Sequence, residues 1–478
     1  AEDTTVSLYD VADASNPNVV GRWHVEGTLV AARAVDGTAR LVLASSFAQR
    51  LPFVQPSMFG LDEDLALERN RAVIDGSTVD DWLPRVFTEA ADGSFGAMSG
   101  AVDCSRVGAP DTFSGLGISW IASVDLHADA RPVGSAGVVS SGETVYASPT
   151  ALYLATMPWD WYHPVDDQQR DDEPPPTQIH AFELDGGTGA TYVATGAVPG
   201  RLLDQFSMSE HDGVLRVAVT IDATSGTTSS SSVVVLRRDG GTLREISRVD
   251  GLGTGEQIYA VRFLGDVGYV VTFRQVDPLY VVDLSDPAHP LLQGELKIPG
   301  YSAYLHPIGD GLLLGVGQNA TDEGRVLGTQ LSLFDVSDPQ SPQQVSTLAI
   351  GGWSDAEWDH HAFLFWPDDG TVVLPVTPGW QECGPNDTCL ADQITGSAGG
   401  AIVARVVDRT LVPVGTISHD ARNDNCWNPL RRSLVVGDEI VTVGPDQMVF
   451  SARSDLAPRA AVTWGTPDEY GCWGYWQE

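Results

Sequence analysis

Apolar residues recur along this chain in runs of five to eight, alternating with polar ones and cut by turn-forming residues at regular intervals. Between Glu256 and Gly300 the runs YAVRF, GYVVTF, LYVVDL and GELKI are separated by Gly-Asp, Asp-Pro, a Ser-Asp-Pro-x-x-Pro step and a terminal Pro-Gly, which is the signature of four short strands. The unit then repeats: Asp283 falls on Asp335, Asp286 on Asp338, Pro290 on Pro342 and Gly300 on Gly352, each 52 residues on. Asp10, Asp13, Pro17 and Gly27 keep the same internal spacing in a partial copy at the start of the chain. A four-stranded antiparallel sheet of about 50 residues cannot bury both faces alone, so it stacks on its copies, and a ring of blades also protects the sheet edges. The expected fold is therefore all-β: a β-propeller of four-stranded blades, eight in number, or seven if the last strands do not form. The aspartates of the Asp-x-Ser-Asp-Pro step read as turn formers that bond their own backbone.

In order, residues 5–26 supply two outer strands of one blade and 28–47 the inner pair of the next. Residues 48–115 then leave the sheet as a helical and loop insertion, with helical spacing over Leu61–Ala90 and a capping-box start at Ser77 and Asp80. Later blades occupy about 143–200, 201–253, 254–300, 301–352, 353–420 and 421–464, with loop insertions at 158–177 and 377–400 and a tail at 465–478. A closed ring counts as one domain, 1–478. The excursions at 48–115, 158–177, 319–330 and 377–400 all fall between second and third strands, which predicts that they crowd one face.

Composition narrows the partners. With 27 Lys and Arg against 64 Asp and Glu the formal net charge is −37, and Lys297 is the sole lysine. Such a surface repels nucleic acid and anionic membrane. No apolar run approaches 18 residues, so no membrane-spanning helix is expected. The Ala1-Glu2-Asp3 start, almost inside a strand, reads as a processed or trimmed terminus. Among five cysteines, Cys383 and Cys389 close a short turn-rich loop and are expected to form a disulfide; Cys426 with Cys472 is a second candidate pair, leaving Cys104. The other reading of Cys383 and Cys389 is half a zinc site.

The segments PGRLLDQFSMSEHDGVLRVAVT, IYAVRFLGDVGYVVTFRQVDPLYVVDLSDP, YLHPIGDGLLLGVGQ and WDHHAFLFWP, with STVDDWLP in the insertion, resemble a family of secreted bacterial and archaeal β-propeller proteins distantly related to WD40 repeats. The resemblance covers nearly the whole chain. It implies the propeller fold and a secreted or cell-surface location, and it carries no catalytic residues. Members of that family have about another blade and a half ahead of the point matching Ala1, which implies a removed part or a separate N-terminal fragment that completes the propeller.

Candidate chemistry gathers at the junctions between blades. The richest is Gly352-Trp353-Ser354-Asp355-Ala356-Glu357-Trp358-Asp359-His360-His361, followed by Ser418–Asp424, by Tyr301 and His306, and by Glu210-His211-Asp212. His306, Asp359, His360 and His419 are the candidate ligands of a divalent cation, calcium through oxygen groups or a transition metal through imidazoles. Strand alternation points His360 and His361 to opposite sides, so at most one of them serves a given site. The competing reading makes these residues buried ties between blades, with Arg262, Arg274, Arg405 and Arg431 as ion partners. Trp159, Trp161, Tyr301, Trp353 and Trp358 are candidate binding platforms for a sugar or peptide, though aromatic residues also serve packing between blades. No Gly-x-Ser-x-Gly or His-Glu-x-x-His motif occurs. The expected function is an extracellular binding or scaffold module for a protein or glycan partner; the alternative is a metal-dependent hydrolase or lyase at the channel mouth.

Overall fold

The computed structural model describes residues 3–47, 50–56, 62–90, 92–126, 132–156, 176–223, 227–273, 276–321, 325–379, 383, 389–394, 399–419 and 430–464. Strand is the main element, and Glu63–Gly76 is the one α-helix among the described residues. The chain divides into two compact units, residues 1–225 with 234–247 and residues 226–233 with 248–478.

In the first unit, one sheet runs Asp3–Asp10, Asn18–Glu26, Arg85–Glu89, Ser99–Gly100. The next runs Thr28–Val35, Thr38–Ser46, Gly117–Asp125, Val133–Val139, with Val107–Gly108 added parallel at its outer edge. Two further four-stranded groups, Thr144–Ala147 to Ala190–Val198 and Met208–His211 to Thr242–Leu252, are fused edge to edge by a parallel contact between Thr195 and Thr242. The unit boundary passes through the last of these groups. The second unit holds four sheets of four antiparallel strands, Gln257–Leu264 to Leu291–Pro299, Tyr301–Gly309 to Gln343–Ala349, Leu364–Trp366 to Thr410–Ser418 and Arg432–Val436 to Pro458–Thr463. Among the described residues seven of these groups are four-stranded propeller blades; the first sheet instead holds the outer strand pair of a blade, Asp3–Asp10 and Asn18–Glu26, and counts as the first.

Within a blade, burial follows position. Where a blade lies between two others of its own unit, its second and third strands have a neighbour on both faces, so Gly117–Asp125 and Thr371–Val376 are buried nearly throughout. The fourth strands alternate with solvent, as in Gln343–Ala349. Apolar clusters lie between successive blades: Val25, Leu43, Ile118 and Trp120 in the first unit, and Val281, Leu305, Leu313 and Phe334 in the second. Each fully buried leucine or phenylalanine in such a cluster contributes about 1.5–3 kcal/mol. The indole of Trp120 meets the need for a buried donor by bonding the Glu26 carbonyl and Ser45 Oγ.

The repeated Asp-x-Ser-Asp-Pro step is turn chemistry. Asp10, Asp283 and Asp335 accept from the amides of Ala12, Ser285 and Ser337, while Asp13, Asp286 and Asp338 accept from those of Ser15, Ala288 and Gln340. The recurrent glycine at the exit of a blade has an equally local cause. Gly300 and Gly352 sit at φ +83° and +59°, and a Cβ on either would overlap a carbonyl oxygen of the next blade's second strand or its end, that of Gln318 or Thr377.

The insertion departs from its expected outline in detail. Its helix is Glu63–Gly76, capped by Asp62, and the capping box lies one residue later than the spacing suggests: Thr78 and Asp81 bond reciprocally, while Ser77 closes the helix behind them. The same insertion supplies Arg85–Glu89 and Ser99–Gly100, which extend the first sheet beyond Asn18–Glu26. The excursion expected at 319–330 is mostly ladder, because Leu312–Ala320 and Val326–Asp335 pair almost to their ends. Cys383 and Cys389 are disulfide-bonded and Cys104 is free and exposed; Cys426 and Cys472 lie outside the described residues. No described helix is long and apolar enough to cross a membrane.

Candidate functional site

The junction from Ile350 to Phe365 is built by capping. Trp353 and Thr377 exchange backbone hydrogen bonds of 3.2 and 3.0 Å, which fixes where the chain enters the seventh blade. Instead of continuing as a strand, the chain makes two 3-10 turns, Asp355–Glu357 and His360–Ala362. Ser354 caps the first turn, accepting from the Ala356 amide and donating to the Pro375 carbonyl at 2.6 Å. Glu357 folds back and accepts from Gln318 Nε2 at 2.5 Å, Thr329 Oγ1 at 3.1 Å and the Ser354 amide at 3.4 Å. Burial nevertheless pushes its carboxyl up from the ordinary range. Asp359 caps the second turn through the His361 amide, and its other oxygen pairs with Arg432 at 2.7 Å.

Asp355 is the strained acid here. Its Oδ1 is buried without a hydrogen-bond partner, and burial, aided by the nearby charge of Asp359, pushes its pKa up to about 6 against the pull of Arg431. His306 is shifted the opposite way, to about 4, by burial and then by Arg262. Its ring sits between Phe363 and Phe365, and Nδ1 lies 3.0 Å from the Tyr304 hydroxyl. His306 is thus a neutral imidazole at pH 7. Arg262 donates to the Leu305 carbonyl and lies over the Tyr304 ring, 5.3 Å from its centre. Arg405 pairs with Asp369. Arg274 lies outside the described residues.

His360 and His361 do not follow strand alternation. In a 3-10 turn neighbouring side chains need not oppose, and their rings face each other at 3.9 Å. His360 also comes to 6.3 Å from the Tyr304 ring, so His306, Tyr304 and His360 form one neighbourhood with Asp359. His419 belongs elsewhere: it is buried against the eighth blade, with Nε2 2.8 Å from Thr442 Oγ1. Among the described residues no three of His306, Asp359, His360 and His419 bring ligand atoms within 4.8 Å of one another.

The aromatic candidates separate in the same way. Tyr301 packs on Tyr259 and Phe273 at 4.6 and 4.7 Å, and burial, then the charge of Glu357, raises its phenol. Trp353 is half-buried, and a side chain at Gly379 would strike its ring. Trp358 stands 66% exposed. Trp159 and Trp161 lie outside the described residues. The insertion after the second strand of this blade closes over the junction: the Ala391 amide bonds the Ile350 carbonyl, and the disulfide sits so close over Gly351 that a Cβ there would press on both sulfurs. In the first unit, Glu210 accepts from Ser148 Oγ at 2.5 Å, and His211 lies 3.8 Å from Asp212. Sequence reasoning passed over Gln318 and Thr329, whose place beneath Glu357 follows from strand pairing across the blade.

This chain has relatives in two archaea. An uncharacterized protein of Archaeoglobus fulgidus is 40% identical over 232 residues, covering 48% of this chain and 35% of that protein. Another, from Methanocaldococcus jannaschii, is 45% identical over 175 residues, 36% of this chain and 27% of that protein. The matched parts therefore span about a third of those relatives' length. Among solved structures, Chaetomium thermophilum Sqt1 aligns over 80% of this chain and 83% of its own at 12% identity and a TM-score of 0.42. Apo AztD from Citrobacter koseri aligns over 80% and 91% at 11% and 0.40. The family described as the Beta propeller domain matches residues 1–456, in agreement with the stacked four-stranded blades, and the chain belongs to that family.

Proposed function

We propose that this protein is an extracytoplasmic binding module whose protein or glycan partner docks on the junction around Trp358. The observation that carries the reading is the exposed indole of Trp358, set on a turn held by the caps of Ser354, Glu357 and Asp359. A large, rigid side chain with one apolar face and one donor, held ready at low entropic cost, is the usual anchor of an interface. The net charge of −37 favours a neutral or basic partner surface and faster encounter with it. The Cys383–Cys389 disulfide supports an oxidising compartment. The test is capture by the immobilised protein from secreted proteins and from surface glycans, repeated with Trp358→Ala. Loss of capture by at least about tenfold at unchanged thermal stability is expected; equal capture by the variant, or a bare monomer with no ligand in either pool, overturns the reading.

A second reading, a hydrolase or lyase working at the same junction, draws on Asp355, whose raised pKa suits a proton donor near neutral pH. In its metal-dependent form it requires a bound divalent cation, and less than about a tenth of an equivalent of any metal in protein purified without chelators ends that form.

A further inference from the structure

Where the second strand of the sixth blade ends, Asn319, Ala320 and Thr321 spell Asn-x-Thr with x other than proline. That triplet is the acceptor pattern for an N-linked sugar in a protein outside the cytoplasm. By itself it is a weak signal, and its worth depends on what the fold does with the three residues. The other such triplet in the chain, Asn386-Asp387-Thr388, lies outside the described residues.

The fold leaves the Asn319 amide nitrogen uncommitted. Asn319 faces Gly328 across the ladder, so the opposite position adds no side chain, and the pairing ends one residue later with Ala320 against Val326. Residues 313–318 are buried, whereas Asn319 and Thr321 are half-buried. Among the described residues the Asn319 carboxamide makes no hydrogen bond. That of Asn70, by contrast, is engaged by both the amide and the carbonyl of Val54, at 2.8 Å each. Thr321 is held at the mouth of the following turn. Its amide donates to the Arg325 carbonyl at 2.9 Å and its Oγ1 accepts from the Arg325 amide at 3.3 Å, which leaves the hydroxyl proton free to donate.

We propose that Asn319 is a glycosylation site whose donor is an oligosaccharide linked to a polyprenyl phosphate. The lone pair of Nδ2 forms a bond to the anomeric carbon, and the bond from that carbon to the phosphate oxygen breaks. The lipid phosphate leaves with the electron pair, and one of the two Nδ2 protons passes to a base. The product amide keeps one N–H, and no hydrogen bond of the folded protein is lost, because none uses this carboxamide. The residue before it, Gln318, holds Glu357 next to Trp358, so the sugar starts one residue from the support of the proposed docking junction. The inference rests on the extracytoplasmic reading above, since acceptors of this kind are used in secreted proteins.

The test uses protein from the cells that make it, divided into a fraction outside the membrane and one inside. Trypsin cuts after Lys297 and Arg325, so the peptide 298–325 holds Asn319 as its sole asparagine, and Asn386 falls in a different peptide. Tandem mass spectrometry of 298–325 from the outer fraction is expected to show whole sugar residues added at Asn319. In Thr321→Ala made in the same cells the modified fraction should fall at least about tenfold, and Thr321→Ser should keep it. An unmodified Asn319 in protein outside the membrane overturns the site and leaves the location standing, whereas an unmodified Asn319 with all of the protein inside overturns both. Sugar retained at Asn319 in Thr321→Ala, or found at Asn386 alone, overturns the proposal as well.

Discussion

Replacing Asp355 by Asn should stabilise the second unit at neutral pH and leave it unimproved in acid. The carboxyl's Oδ1 is buried without a partner, and the pKa rises from an ordinary 3.8 to about 6. An acid whose native pKa is raised keeps its proton longer when folded. Between pH 4 and 6 the native state therefore binds more protons than the unfolded chain, and stability falls as pH rises through that window. Without screening, that rise is worth about 3 kcal/mol. The side chain is partly open to solvent, so screening brings the figure to about 1–2 kcal/mol. Asn keeps the size and removes the charge, and the Ser354 cap stays in place. Thermal unfolding of the wild type and D355N at pH 4 and pH 8 measures the effect: D355N should melt about 2–6 °C higher at pH 8 and no higher at pH 4. The same difference at both pH values, or a less stable variant at pH 8, would refute the account of a strained acid.

Three further outcomes are expected. Gly352→Ala should cost about 3 kcal/mol or more, since φ is +59° and the new Cβ overlaps the Thr377 carbonyl oxygen, whereas Gly437→Ala, at φ +60° in open space, should cost about 1 kcal/mol; denaturant titration of the two variants compares them. His180 is fully buried, with Nδ1 3.2 Å from Thr195 Oγ1 and Nε2 without a hydrogen-bond partner, and burial lowers its pKa to about 4. Its stabilising contribution is complete above pH 6.5 and is lost as pH falls towards 4, by about 2–3 kcal/mol, so His180→Gln should flatten the acid limb of the stability profile of the first unit. Reducing the Cys383–Cys389 bond, a loop with a sequence separation of 6, should remove about 2 kcal/mol and speed exchange of the Ala391 amide that bonds Ile350; unchanged exchange there would mean that the loop holds itself over the junction without the bond.

The blade repeat was legible in the sequence because each unit writes its own turns. Asp283 and Asp335 bond their own backbone two residues on, and Gly300 and Gly352 are needed where a blade's exit crosses a neighbouring strand. These are local requirements, so a single chain displays them as spacing. The junction is different. His360 and His361 looked like strand neighbours facing apart, and capping by Ser354 and Asp359 wound them into turns with facing rings. His419 shared a residue type with His306 but went to another interface, against Thr442.

Sequence by itself determined the all-β class, the stacked blades and the short disulfide, because periodicity, turn residues and loop closure act within about 50 residues. Tertiary structure alone decided which acid is strained, which tryptophan stands in solvent and which histidines share a turn. Burial and pairing are set by neighbours brought together from distant parts of the chain, and no local pattern encodes them.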